Sequence, residues 1–278
     1  MGKGLTLPEW PGGADVAVSV TFDVDAECGY LGEGDEYAKR LTTLSEGRFS
    51  VVRGVPRILD LLADLEIPGT FYVPGDTAER HQSIIQRIVH KGHEVGHHGY
   101  MHLRSDRVSP AAQREEIERG FEALDRTIGE RPTGYRSASW ELTPETFELL
   151  LEFGFEYDSS CMGDDRPYLE EHDGRSMLEL PVHWSLDDWP YFAWNIDSGG
   201  NLADPEAFLR VWLTEFESAL RDGRHVTYTM HPEVIGRGYR IELLRRFLEE
   251  IRERATVWFA SHRDVAAHVK SSAGLPVQ

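Results

Sequence analysis

The feature that most limits what this chain can fold into is an alternation of short apolar runs with segments of helical period. Strands that alternate with helices pair in parallel through right-handed crossovers. Eight apolar runs are bounded by polar, glycine or proline residues, as buried parallel strands are, and cover 16–22, 70–73, 94–98, 134–137, 156–159, 178–184, 226–230 and 256–260. The sequence therefore predicts an α/β protein in which these runs share one sheet.

The segments between the runs carry helix signals. Three of them begin with a hydroxyl or carboxylate residue followed by proline, at Ser109-Pro110, Thr143-Pro144 and Asp204-Pro205. The first side chain caps free N–H groups, and proline at the first helical position gives up no hydrogen bond. Further helices are predicted over 56–65, 78–91 and 241–254.

The number of units favours a barrel. Seven or eight strand–helix units predict a distorted (β/α)7–8 barrel, similar to a TIM barrel, and no glycine-rich phosphate loop supports the open nucleotide-binding sheet. The 278 residues suit one such domain, because β/α barrels commonly run to about 250 residues. We predict a single catalytic domain over 1–278, with a core at about 15–270 and a poorly ordered tail after about Ser271.

The charge balance excludes some partners. A formal net charge of −19 disfavours binding to nucleic acid or to anionic membranes, since both need positive charge. No stretch approaches the roughly 20 apolar residues of a membrane helix, and no apolar run near Met1 resembles a secretory signal. Two cysteines are too few for a disulfide framework. A cytoplasmic location follows as the default expectation.

Two aspartates leave the end of the first predicted strand. Asp23 and Asp25 are one residue apart, so their side chains point the same way in an extended chain. The carboxyl ends of barrel strands are where active sites form. Taken alone, the pair is equally consistent with capping or solvated acids.

Two histidines follow the third predicted strand. His98 and His102 lie four residues apart, which brings both imidazoles to one face if the chain turns helically there. Imidazole nitrogen and carboxylate oxygen suit zinc or another divalent transition metal. The sequence predicts a metal site here, whereas His90, His93 and His97 are interpreted as structural.

Two further polar residues end strands. Arg136 can hold a carboxylate through a two-pronged hydrogen bond, or can form a structural ion pair. His231, at the end of a late strand and before Pro232, is well placed as a general acid. The concurrence of these groups at several strand ends indicates one catalytic centre.

Two other features leave alternatives open. The long polar segment 27–50 after the first strand is a lid, an oligomer contact or a solvated excursion. The aromatic residues of the later strands can floor a sugar or planar-ring pocket, or can pack the core; they are Trp140, Trp184, Trp189, Tyr191, Phe192 and Trp194.

These segments resemble, in order and over nearly the whole chain, the polysaccharide deacetylase (NodB-homology) family. The resemblance implies a distorted β/α barrel of seven or eight units. It also implies that Asp23 is the base and that Arg136 orients it. The implied metal ligands are Asp25, His98 and His102, and the implied acid is His231. Tyr157-Asp158-Ser159-Ser160 resembles a further family segment, with Asp158 as a partner behind the site.

The sequence departs from the commonest family pattern. Val24 separates the aspartates, Gly99 replaces the usual hydroxyl residue, and Ala138 replaces a proline. These departures and segment 186–191, which includes Asp188 and Trp189, are similar to an offshoot branch. That branch contains allantoinase-like enzymes, cyclic imide hydrolases and peptidoglycan deacetylases, several of them tetramers. We therefore expect a homo-oligomer, with a tetramer as one form.

The resemblance implies a metal-dependent hydrolase of non-peptide carbon–nitrogen bonds that removes N-acetyl groups from amino sugars. The expected cofactor is one Zn²⁺, with Co²⁺, Ni²⁺ or Mn²⁺ as alternatives. A backbone N–H near Ser139 is expected to stabilise the oxyanion, beside Trp140 in the substrate pocket. The alternatives are hydrolysis of a small cyclic amide, imide or ureide, and a non-catalytic barrel that only binds metal or ligand.

Overall fold

Ten strands form one sheet at the centre of the computed structural model, which describes residues 3–6, 8–197, 199–200 and 202–276. Its longest strand, of eight residues, is wholly buried. In chain order the strands are β1 (Lys3–Gly4), β2 (Val16–Asp23), β3 (Thr70–Val73), β4 (Glu94–His97), β5 (Gly134–Tyr135), β6 (Tyr157–Asp158), β7 (Tyr168–His172), β8 (Arg175–Glu179), β9 (His225–Met230) and β10 (Val257–Phe259).

Parallel pairing around β2 organises the sheet. The strand order is β1-β7-β8-β6-β5-β4-β3-β2-β10, and β9 also pairs with β2. Neighbouring strands from β2 through β6 pair in parallel. Parallel pairing also joins β6 to β8 and β2 to both β9 and β10. A parallel bridge joins Asp187 to Thr229 of β9. The sheet thus curls into a distorted β/α barrel, which confirms the predicted fold class.

Twelve α-helices in the described residues connect and cover the strands. Five short 3₁₀ turns and one π-helical turn, Ser50–Gly54, complete the described helical structure. The α-helices are α1 (Cys28–Leu31), α2 (Leu41–Phe49), α3 (Val55–Leu65), α4 (Gly75–Arg80), α5 (Gln82–His90), α6 (Pro110–Ile128), α7 (Pro144–Glu152), α8 (Trp189–Phe192), α9 (Pro205–Asp222), α10 (Pro232–Ile235), α11 (Gly238–Arg254) and α12 (His262–Ala273).

The predicted caps form as expected. The side chains of Ser109, Thr143 and Asp204 accept hydrogen bonds from N–H groups in the first turns of α6, α7 and α9. The predicted helix 78–91 is instead two helices, α4 and α5, divided at His81. The last helix, α12, ends at Ala273, close to the predicted start of the tail at about Ser271.

The strand boundaries differ most in the second half of the sheet. The run 178–184 is only partly strand, since β8 ends at Glu179 and Trp184 begins a 3₁₀ turn. A hairpin that we did not predict joins β7 to β8 through Asp173 and Gly174, both at positive φ (45° and 78°). An Asp-Gly pair in this conformation is typical of two-residue hairpin turns.

Segment 27–50 is a helical cap and not a polar loop. It contains α1, the 3₁₀ turn Asp35–Lys39 and α2, and it enters α3 through the π-helical turn. Two glycines let it approach the barrel closely. A Cβ on Gly47 would lie 2.4 Å from the carbonyl oxygen of Ala26, and one on Gly54 would lie 2.2 Å from that of Pro232. The cap is therefore docked against the strand ends.

The largest buried apolar cluster lies between the sheet and its helices. Phe22 and Phe71 stack in it with ring centroids 4.8 Å apart, and Trp212 packs on Phe208 and Tyr228. Among the described residues, no helix combines the length and the apolar character that crossing a bilayer requires.

Candidate active site

A cavity of about 360 Å³ opens at the carboxyl ends of the barrel strands. Asp23 and Asp25 reach it from the end of β2, and His98 from the end of β4. His231 follows β9 and also lines it. Residues predicted from strand ends more than two hundred positions apart thus meet in one space, as expected for a β/α barrel.

One carboxylate and two imidazoles converge in this cavity. His98 Nε2 lies 3.5 Å from Asp25 Oδ1, and His102 Nε2 lies 3.5 Å from Asp25 Oδ2. One donor atom from each residue lies within 4.8 Å of the others. Asp25 Oδ1 is buried with no hydrogen-bond partner among the described residues. This donor set fits a divalent transition metal.

The protonation of the histidines suits metal binding. The Nδ1 of His98 lies 2.7 Å from the carbonyl oxygen of Arg136, to which it donates, so Nε2 keeps its lone pair for a ligand. Burial lowers the pKa of His98 against the opposing effect of Asp23 and Asp25. Burial also lowers the pKa of His102, to about 4. Both imidazoles are therefore neutral near pH 7, as metal ligands must be.

The turn after β4 places the second histidine. Gly99 has φ 74° and His102 has φ 56°, so the chain turns sharply between the two ligands. The buried carboxylate of Glu116 fixes this turn by accepting hydrogen bonds from the backbone N–H groups of Tyr100 (3.0 Å) and Met101 (2.9 Å). The glycine at position 99, a departure from the commonest family pattern, meets this left-handed conformation without strain.

Asp23 is held by a fully buried guanidinium. Arg136 Nη1 donates to Asp23 Oδ1 at 2.7 Å and to Thr21 Oγ1 at 2.9 Å, and its other nitrogens donate to the carbonyl and the hydroxyl of Ser159. Burial acts to raise the pKa of Asp23, but Arg136 and then His98 outweigh it and lower that pKa. Asp23 is therefore ionised, as a base must be, and lies 3.9 Å from His98.

His231 is held by two aspartates. Its Nδ1 lies 2.9 Å from Asp188 Oδ1 and 3.4 Å from Asp187 Oδ1, and its backbone N–H donates to Asp188 at 3.0 Å. Burial acts to lower the pKa of His231, but these two carboxylates outweigh it and raise the pKa well above its usual value. The edge of Trp189 packs against the imidazole, with ring centroids 4.9 Å apart. His231 is thus a protonated imidazole that faces the cavity.

The other predicted residues divide into two groups. Ser139 and Trp140 line the cavity, both at positive φ (53° and 58°), and Trp140 stacks on Trp184 with centroids 4.3 Å apart. Asp158 lies outside the cavity lining and accepts a hydrogen bond from Ser160. It therefore acts only through the residues behind Arg136.

Some aromatic and histidine residues have structural roles. Tyr191 and Phe192 pack against Phe208, and Trp194 is exposed outside the cavity lining. His97 bonds to the backbone of Ile117 and Gly99.

Sequence reasoning missed several cavity residues. Glu233, two positions after His231, is 2% exposed, and its Oε2 has no partner among the described residues. Burial and the nearby Asp25 raise the pKa of Glu233 to about 8. The helical cap contributes Tyr30 and Tyr37. The position of Glu233 beside the predicted acid was a usable signal, whereas the contribution of the cap depends on its docking.

Comparisons with known proteins agree with this geometry. A family model described as polysaccharide deacetylase matches residues 16–157. A peptidoglycan deacetylase of Helicobacter pylori is 28% identical over 91% of this chain and 95% of its own length. Two crystal structures superpose over almost the full length of both chains. One, a Mycobacterium smegmatis protein described provisionally as a polysaccharide deacetylase, has a TM-score of 0.92 at 38% identity and covers 99% of this chain and 96% of its own.

The second structure is the allantoinase Puue, with a TM-score of 0.86 at 25% identity, and it covers 98% of this chain and 96% of its own. The matched family segment contains Asp23, Asp25, His98, His102 and Arg136, which are the residues that the fold brings together. The chain therefore belongs to the polysaccharide deacetylase family, whose members are metal-dependent hydrolases of amide carbon–nitrogen bonds.

Proposed function

We propose that this chain hydrolyses the N-acetyl group of an amino sugar, or a similar small amide, in the cavity at the barrel strand ends. The observation that carries the proposal is that a metal donor set, a base and an acid lie in or beside the same cavity. The donor set of Asp25, His98 and His102 lies beside Asp23, and His231 lines the same cavity. Hydrolysis of an amide needs a base for water, a stabilised oxyanion and an acid for the leaving nitrogen.

Asp25, His98 and His102 would hold the metal, for which we propose Zn²⁺ before Co²⁺, Ni²⁺ or Mn²⁺. When bound, such an ion supplies Lewis-acid polarisation of water and of the acyl carbonyl. Asp23 removes a proton from the attacking water, because Arg136 keeps it ionised and oriented. We also propose that a backbone N–H near Ser139 donates to the tetrahedral oxyanion.

His231 completes the reaction. Its imidazolium donates a proton to the nitrogen as the carbon–nitrogen bond breaks, so water and amide become carboxylate and amine. Asp188 positions His231 through Nδ1, and general acid catalysis of this kind contributes about 10²–10⁴-fold. Trp140 and Trp189 would form walls for the substrate.

The cavity supports a small substrate. Its volume lies within the roughly 300–1,000 Å³ of small-molecule sites, and the helical cap forms part of its wall through Tyr30, Glu33, Tyr37 and Thr43. We propose an N-acetylated amino sugar as the first candidate, because the Helicobacter pylori relative is named a peptidoglycan deacetylase. A cyclic amide, imide or ureide is the second candidate, favoured by the likeness to an allantoinase over the whole chain.

We further propose a cytoplasmic homo-oligomer. Exposed apolar side chains support association, because Leu41 and Ile196 are 80% and 81% exposed and Leu202 is 67% exposed. Exposed apolar surface of this kind is typical of protein–protein contacts. Sedimentation of the purified protein should give more than one chain per particle, and cell fractionation should find the protein in the cytoplasm.

The test compares two reactions on one preparation. We expect zinc-dependent release of acetate from N-acetylglucosamine, or else zinc-dependent ring opening of succinimide or hydantoin, and loss of either reaction with a chelator. His98→Ala should lose bound zinc and turnover together. His90→Ala, which removes an exposed histidine on α5 outside the cavity lining, is the matched control and should keep both. If zinc binds but neither reaction occurs, the chain is a non-catalytic barrel and the proposal is wrong.

A further inference from the structure

Glu233 presents to the cavity a buried carboxyl oxygen without a hydrogen-bond partner in the described part of the chain. It lies in α10, two residues after His231, and is 2% exposed. Its Oε2 is buried and has no partner among the described residues. The mechanism needs no further base or acid, so Glu233 has no role in it. A buried carboxyl oxygen without a hydrogen-bond partner destabilises the protein, which favours a ligand for this oxygen.

The charges around the cavity show which ligands it can accept. Its described lining contains three histidines and six carboxyl residues, and neither lysine nor arginine. The guanidinium of Arg136 lies behind Asp23 and is used by it. A second one, on Arg40, pairs with Asp197. Apart from the imidazolium of His231, which two aspartates already hold, a substrate that carries a carboxylate, phosphate or sulfonate would find no cationic side chain in this described lining and would be repelled by its ionised acids.

The aromatic walls favour the opposite kind of group. Trp140 and Trp184 stack face to face with an interplanar angle of 25°, and Tyr30, Tyr37 and Trp189 also line the cavity. Aromatic faces attract ammonium groups and stack on planar groups such as ureas. Both kinds of group present N–H donors, which are what Glu233 lacks.

We propose that Glu233 binds an N–H group of the substrate, either an ammonium or a neutral urea-type N–H, and that the cavity rejects anionic substrates. The inference rests on the proposed function, since it concerns the same cavity, and it narrows the substrate class. An amide with a second nitrogen fits this description, whether it is an amino sugar with a free amine or a cyclic ureide. Glu233 is then a specificity-determining residue, separate from the residues that break the bond.

The test uses four acetamides that differ only at the far end of an N-propyl chain. The ends are an ammonium, a urea, a hydroxyl and a sulfonate, of which the sulfonate is an anion that binds zinc poorly. Affinities for the zinc-loaded protein are measured by fluorescence, because Trp140, Trp184 and Trp189 line the cavity. We expect the ammonium or the urea ligand to bind about 10-fold more tightly than the hydroxyl ligand, as a charge-assisted or well-placed hydrogen bond would give. The sulfonate ligand should bind most weakly.

One variant and one control test whether Glu233 causes this ligand preference. Glu233→Gln keeps the side-chain shape and should remove the ammonium preference, while a urea preference should fall only in part because the amide oxygen still accepts. Glu130→Gln is the matched control, since Glu130 is 47% exposed, pairs with Arg263 at 3.2 Å and lies outside the cavity lining. It should leave the order of affinities unchanged.

The inference and the proposed function fail in different ways. Equal binding of the four ligands by the wild-type protein, or tight binding of the sulfonate, would overturn the inference, even if Glu233→Gln did not fold. An unchanged ammonium preference in folded Glu233→Gln would overturn the role of Glu233. If the expected order of affinities holds but no amide or imide is hydrolysed, the proposed function is wrong and the binding preference stands.

Discussion

Replacement of Arg136 with methionine removes the partner of Asp23 from the interior of the barrel. Arg136 is 0% exposed and donates four hydrogen bonds, the shortest of them to Asp23 at 2.7 Å. Without the guanidinium, Asp23 is a buried carboxylate close to no other arginine. Removal of one member of a buried ion pair costs about 3–5 kcal/mol of unfolding free energy. We expect Arg136→Met to lose stability by that amount at pH 7.

The matched control has the same contact distance but lies at the surface. Arg246 Nη1 is also 2.7 Å from a carboxylate oxygen, that of Glu206, but the two side chains are 53% and 62% exposed. Because water solvates both ions before and after the change, Arg246→Met should cost no more than about 1 kcal/mol. The comparison therefore separates burial from distance as the source of the effect.

The assay is urea unfolding of the metal-free proteins, followed by tryptophan fluorescence. With a slope of about 3 kcal/mol per molar urea, the midpoint of Arg136→Met should fall by about 1–2 M. The pKa of Asp23 is lowered in the folded protein, so the pair stabilises the fold fully above the usual aspartate pKa near 4. That contribution is lost as the pH falls through the lower folded value. The gap between wild type and variant should therefore be constant near neutrality and should narrow in acid.

A double-mutant cycle decides the interpretation. Asp23→Asn alone leaves an unpaired buried cation, so each single change should be costly, and the double variant should lose about 0.5–3 kcal/mol less than their sum. If Arg136→Met unfolds at the same urea concentration as the wild type, or if the two changes are simply additive, the buried pair does not hold Asp23 in the way described.

Three further predictions concern the acid, the metal and the cap. Asp188→Asn removes a charge that raises the pKa of His231. Because the acid must be protonated, the alkaline limb of the pH profile of kcat/KM should move to lower pH. An alkaline limb that does not move would exclude His231 as the acid. Asp25→Ala should bind less than about one tenth of the zinc of the wild type, since it removes the carboxylate between both imidazoles. Loss of a residue that only supports a metal ligand already lowers metal affinity about 10–100-fold. Full metal content, measured by elemental analysis, would contradict the ligand set. Gly54→Ala places a Cβ 2.2 Å from the backbone oxygen of Pro232. It should lower the free energy of unfolding by about 1–3 kcal/mol, which a lower Tm would show. An unchanged Tm would mean that the cap is not docked so closely.

The residues that could be predicted from sequence are those whose placement is local. Asp23 and Asp25 share a direction because side chains alternate along a strand, and His98 and His102 meet because one turn separates them. In each case a strand end and a fixed spacing were enough. The strands themselves were predictable because each is an apolar run, and β2 is buried along its whole length.

The parts that sequence reasoning missed depend on packing between distant segments. Segment 27–50 has no apolar stripe of helical period, and α2 packs against α1 and α10, which are distant or separate elements of the chain. Glu233 lies in α10 as well, and its position two residues after the predicted acid was the signal that the sequence offered for placing it near the cavity. The Asp173-Gly174 hairpin is different, because its turn signal was present in the sequence and was overlooked within a strongly polar stretch.

The different roles of Asp23 and Asp25 show where local patterns stop being informative. The two residues are chemically identical, both buried and one position apart, yet the pKa of Asp23 is lowered and that of Asp25 is raised. Burial raises both, and only Asp23 receives the hydrogen bond of Arg136, which comes from the end of β5. Asp25 instead lies between two neutral imidazoles. The difference that favours Asp23 as the proposed base and Asp25 as the proposed ligand therefore comes from strand pairing across the barrel, and no spacing within β2 could have supplied it.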